Sequence, residues 1–172
     1  MIKRFMQAPL VSVVAVFITT CAAAQPAETS AYEDWVLVCE ERENALPCQI
    51  RHRIIDQASK TQVLSFSIVY APDQARHGRQ LVFPLDFLLE PGVSLAVDDY
   101  RVDSIAVDYC DANGCYVEAA LEAVAVEAFR AGTKAHVHLT ARDGRRIGLP
   151  FSLTGFSKAE ARLRRETVAR AQ

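Results

Sequence analysis

The chain has 172 residues, 51% hydrophobic and 23% charged, which suits one globular domain and is too short for two full ones. A formal charge of −2 with a pI near 6.1 argues against a basic nucleic-acid binder. Seven Gly and seven Pro set aside collagen-like, mucin-like and low-complexity classes.

Residues 1–24 read as a secretory signal peptide. Lys3 and Arg4 precede the apolar stretch Leu10–Ile18, and Ala22-Ala23-Ala24 supplies small residues before a cut at Gln25. The apolar stretch is shorter than the roughly 20 residues of a membrane span, and no later stretch approaches that length, so the mature chain is expected not to cross a membrane. Cleavage after Ala24 removes Cys21; lipidation at Cys21 is the alternative, with Thr20 a poor residue before a lipidated cysteine. Cleavage leaves 148 residues, and loss of Lys3 and Arg4 from 19 basic residues leaves 17 against 21 acids, or −4.

Residues 25–34 are small and polar and read as a flexible lead-in to a single domain over 35–172. Trp35–Cys39 opens that domain. Cys48–Ile54 and Val63–Val69 alternate apolar with polar residues, the pattern of strands with one face in a core. Further strands are predicted at 80–83, 93–97, 101–109, 115–118, 134–141 and 145–153. Turn chemistry separates them, at Pro72-Asp73, Pro91-Gly92, Asp111-Ala-Asn-Gly114 and Asp143-Gly144. Pro91-Gly92 is expected to return Val93–Val97 along the previous strand. Two segments carry helical period instead. Over 118–130, Leu121, Val124, Ala125 and Ala128/Phe129 share one face, with Gly132 placed as a C-cap. Ser157-Lys-Ala-Glu160 is a capping box opening a C-terminal helix over about 157–170, where Glu160/Arg164 and Glu166/Arg170 are favourably ordered pairs. The fold class is mainly β, an antiparallel β-sandwich with two short helices.

Four cysteines remain in the mature chain, and an even count in an exported protein reads as disulfides. Of three connectivities, the spacing favours two local bridges, Cys39–Cys48 and Cys110–Cys115, each across its own hairpin. The spacings lack the CxxC knuckles of a zinc ribbon.

The order of these features resembles a known family. Trp35-x-x-x-Cys39 is followed by Phe83-Pro-Leu-Asp-Phe-Leu-Leu-Glu-Pro-Gly-Val-Ser-Leu-Ala-Val-Asp98, then Tyr109-Cys-x-x-x-x-Cys-Tyr116. Ile147-x-Leu-Pro-Phe-Ser-Leu-Thr-Gly-Phe156-Ser-Lys-Ala159 closes the pattern. Over about 35–163 the chain is similar to the invasion-associated locus B family of exported, mostly alphaproteobacterial, proteins. Asp86 departs from it, standing where the family block commonly has a small residue. The resemblance implies a periplasmic or surface-exposed β-rich domain and carries over no catalytic residue.

Candidate chemistry is sparse. His136 and His138 share one strand face and would need a third ligand to hold a metal; alternation with Ala135, Val137 and Leu139 makes a solvated face the simpler reading. His52 and His77 have no evident partners. The Asp111-Ala-Asn113-Gly114 run lacks the later ligands of a calcium loop. No G-x-S-x-G elbow is present, and oxidation leaves no free thiol in the mature chain. Basic residues gather in two places, Arg142, Arg145 and Arg146 at the Asp143-Gly144 hairpin and Arg162, Arg164 and Arg165 on the last helix. If adjoining, they suit an anionic partner, an envelope or host protein or glycolipid. The expectation is an exported, non-enzymatic binding protein without a cofactor and without nucleic-acid contacts. The alternatives are a metal-assisted periplasmic hydrolase using His136 and His138, and an envelope-stress or chaperone-like factor.

Overall fold

The computed structural model describes residues 28–40 and 48–171. The signal peptide, Cys21 and the first part of the lead-in lie outside the described residues. Twelve strands and two helices follow one another among them: β1 (Glu28–Tyr32), β2 (Trp35–Cys39), β3 (Cys48–Ile55), β4 (Gln62–Ala71), β5 (Arg76–Phe83), β6 (Phe87–Leu88), β7 (Val93–Val97), β8 (Tyr100–Ile105), β9 (Tyr109–Asp111), β10 (Gly114–Leu121), α1 (Ala123–Ala131), β11 (Lys134–Ala141), β12 (Arg146–Ser152) and α2 (Phe156–Arg170).

The strands pair antiparallel in two sheets, as the alternation predicts. The larger runs β1-β2-β3-β4-β5-β10-β9; the smaller runs β12-β11-β7-β8, with β6 also on β11. Register decides which side chains turn inward. Leu37 faces Ile50 and Ile50 faces Ile68 in one row, and Phe66, Leu81 and Val117 form the neighbouring row of the larger sheet. All are buried, as are Val93, Leu95, Val97, Ala135, Val137, Leu139 and Phe151 of the smaller sheet, and together they form one core. Trp35 is its largest anchor. Its ring lies 5.1 Å from Phe156 and 5.6 Å from His52, and its Nε1 donates to the Ser152 carbonyl at 3.2 Å.

Both disulfides form as expected, and each joins residues directly opposite in a ladder. Cys39 faces Cys48 with Cα atoms 4.1 Å apart, and Cys110 faces Cys115 at 4.0 Å.

Several local expectations are corrected. Residues 28–32, expected as flexible lead-in, are an edge strand paired along β2, with Glu28 opposite Cys39 and Tyr32 opposite Trp35. Ion pairs Arg170–Glu28 at 2.6 Å and Lys158–Glu33 at 3.0 Å tie its two ends to α2. The expected strand 101–109 divides: β8 stays in the smaller sheet and β9 crosses to the larger. Pro91-Gly92 does not reverse the chain. β6 and β7 both lie antiparallel to β11, at Thr140–Ala141 and Ala135–His138, so they run in the same direction past it. Gly92 is required there, with φ of 87° and a Cβ that would fall 2.4 Å from the Ile105 carbonyl oxygen.

The first helix begins at Ala123, because residues up to Leu121 remain in the β10 ladder opposite His77. Its buried face is Ala125, Val126 and Phe129, while Val124 is 62% exposed. The capping box does not form. Gly155, in the left-handed region at φ 87°, starts α2, and Glu160 turns to other partners. Asp86 sits in an exposed turn, and its φ is not positive, so the position makes no demand for glycine.

Candidate binding groove

Helical spacing puts Glu160, Ala161, Arg164, Arg165, Val168 and Ala169 along one side of α2. Arg130 at the end of α1 and Tyr70 near the end of β4 form the opposite side of an open groove of about 680 Å³. That size lies in the range of small-molecule sites, about 300–1,000 Å³. A smaller hollow of about 200 Å³ continues from it past Tyr70, Arg130 and Arg164 toward His77.

The floor is polar and fully engaged. Glu160 is only 1% exposed; its Oε1 meets His77 Nε2 at 2.9 Å, and its Oε2 accepts from Arg130 Nη2 at 2.7 Å. Burial is the largest influence on the Glu160 carboxyl and raises its pKa, but the His77 and Arg130 hydrogen bonds together hold it below the usual value. The Arg130 guanidinium is correspondingly pushed up, first by its bonds to Glu160. Arg130 also donates to Glu127 at 2.5 Å, so its charge is spent within the protein.

The rim differs. Arg164 holds its guanidinium carbon 5.2 Å over the Tyr70 ring, a cation–π contact. Neither Arg164 nor Arg165 has a carboxylate partner among the described residues. Arg162, the third helix arginine named from sequence, lies off the groove and pairs with Glu166 at 2.6 Å. The expected Glu160/Arg164 pair is absent because Glu160 is taken by His77 and Arg130; Glu166–Arg170 forms at 3.7 Å.

The two arginine clusters do not merge. Arg142, Arg145 and Arg146 sit at the β11–β12 hairpin, at the far end of that ladder from the loop leading to α2, and none lines the groove. Arg145 pairs with Asp143 at 2.6 Å, Arg146 donates to Ser94 Oγ at 2.7 Å, and Arg142 stands 4.0 Å from Asp86.

His136 and His138 lie on one strand face as expected, rings 6.2 Å apart and nearly parallel. Burial, Arg146 and His136 lower the His138 pKa, favouring the neutral ring. No group of three or more His, Cys, Asp or Glu side chains placed to hold a metal occurs among the described residues. Central acids have structural partners instead: Asp98 accepts from the Thr133 and Lys134 amides, Asp111 from the Asn113 amide, and Asp103 from Arg79 across the sheets. His77, read from sequence as without an evident partner, bonds Glu160, whereas Arg130, Tyr70 and the role of Glu160 escaped the sequence reading. Only the stripe of small and basic residues along the last helix hinted at them.

An antiparallel, disulfide-stapled sandwich carrying this groove defines a class of β-rich domain, and comparison with known proteins places it. The chain belongs to the invasion associated locus B (IalB) protein family, whose model matches residues 35–164. Its fold is similar to the crystal structure of invasion associated protein b from Bartonella henselae, with 25% identity and a TM-score of 0.72, over 79% of this chain and 94% of that one. No curated protein matches. Two disulfides are consistent with an extracytoplasmic location. No helix among the described residues is long and apolar enough to cross a membrane.

Proposed function

We propose that this is an exported, non-enzymatic binding protein of the envelope, and that the groove along α2 receives an anionic partner. The observation that carries this is the pair Arg164 and Arg165, which line the groove beside Ala161, Val168 and Ala169 and have no carboxylate partner among the described residues. Charge unspent inside a protein is available to a partner. The hairpin arginines are weaker candidates, because Arg145 and Arg146 are already engaged. A metal-assisted hydrolase would need a third ligand beside His136 and His138, and the described residues offer none. The similar crystal structure is that of an invasion associated protein, so contact with a host surface is a further use this site would serve in a host-associated organism.

The test is charge reversal. Arg164→Glu with Arg165→Glu is expected to abolish retention of the mature protein on its own anionic envelope fraction. Arg142→Glu with Arg145→Glu is expected to leave retention intact. Unchanged retention in the first variant overturns the proposal.

A further inference from the structure

We infer that the occupant of the α2 groove is a long-chain carboxylate, an amphiphile with one anionic head and one apolar chain; this rests on the reading of the groove as the partner site. The walls point to the chain. Val168 is 41% exposed along the groove, with Ala161 and Ala169 on the same side, apolar side chains facing water on the face of α2 turned away from the core. The groove wall that α2 supplies, from Ser157 to Ala169 with Arg164 and Arg165 midway, runs about 18 Å at 1.5 Å per residue, the length of an extended acyl chain. The rim points to the head. The lining carries three arginines against one glutamate, and that glutamate is bonded to Arg130, leaving Arg164 and Arg165 for a single anion. Tyr70 holds Arg164 from below, so the planar fork is oriented before the ligand arrives. A bilayer surface would call for cations spread over a convex face; here they converge on a concavity of about 680 Å³, the scale of one small molecule.

Lauric acid, below its micelle-forming concentration, is the probe, titrated calorimetrically into the full mature protein. Acetate has the head without the chain, and dodecyltrimethylammonium the chain with the opposite charge. One laurate per chain is expected, with both controls at least about ten-fold weaker. Arg164→Glu with Arg165→Glu is expected to weaken laurate about ten-fold or more, and Ala161→Phe, which fills the groove, to do likewise. Amide shifts mapped on the unaltered protein keep the test independent of variant folding: they are expected to move along 157–169 and around Tyr70. Acetate binding as tightly as laurate, or amide shifts elsewhere, overturns the long-chain assignment. Loss of laurate binding altogether, with envelope retention still dependent on Arg164 and Arg165, overturns it too, but spares the anionic-partner reading. Retention indifferent to those arginines removes that reading itself.

Discussion

Gly155 and Trp35 both pack where the last strand gives way to α2, Gly155 against Tyr32 and Trp35 against Phe156, and each is specified by close packing. A Cβ on Gly155 would fall 2.0 Å from the Tyr32 carbonyl oxygen at a φ of 87°, whereas one on Gly144, at φ 84°, meets nothing within 4 Å. Gly144→Ala is expected to cost about 1–2 kcal/mol, the left-handed penalty alone. Gly155→Ala is expected to cost clearly more, because β1 must also move; urea unfolding of both variants checks the difference. Trp35→Ala removes the anchor of the aromatic cluster and is expected to cost about 3–5 kcal/mol. Glu160 gives a pH signature. Its folded pKa lies below the ordinary carboxylate value, so its contribution is complete above the unfolded pKa, near 4.5, and fades as pH falls through the lower folded value. Glu160→Gln is therefore expected to destabilise by about 1–3 kcal/mol at neutral pH, with the gap to the unaltered protein closing in acid. A gap independent of pH would contradict the His77–Glu160–Arg130 account.

Among the elements, the disulfide hairpins were the most legible, because each is a local event: short spacing and turn residues between alternating strands decide it. Reopening Cys39–Cys48 or Cys110–Cys115 by double Ser substitution is expected to cost about 2–3 kcal/mol each on the loop-entropy account, read as a lowered urea midpoint. The alternation of residues 134–141 and 146–152 likewise announced β11 and β12. What the sequence hid were elements decided by distant partners. β1 has no apolar periodicity of its own and forms because β2 offers an unpaired edge and α2 supplies cations to Glu28 and Glu33. Leu121 fits a helical face equally well, yet its ladder position opposite His77 keeps it in β10. Ser157-x-x-Glu160 has the local grammar of a capping box, but two partners from β5 and α1 bind the Glu160 carboxylate more strongly than a backbone amide would. The rim arginines were visible in the sequence; the floor beneath them was not.

For the whole molecule, a core shared by two sheets leaves α2 free to present one side outward while Phe156, Ala159, Leu163 and Thr167 bury the other. That division explains why a helix rich in arginine is stable: its packing is supplied by β1–β4 and α1, and its charges have separate tasks, Arg162 and Arg170 in ion pairs and Arg164 and Arg165 at the groove. In the proposed function this groove, and not the β11–β12 hairpin, meets the partner. A photo-crosslinking side chain placed at Ala161, and separately at Arg142, in cells exporting the protein tests it most directly. Adducts are expected from position 161 that disappear when Arg164 and Arg165 are reversed, and none of comparable yield from 142. Equal capture at 142, or capture at 161 indifferent to those arginines, would contradict it.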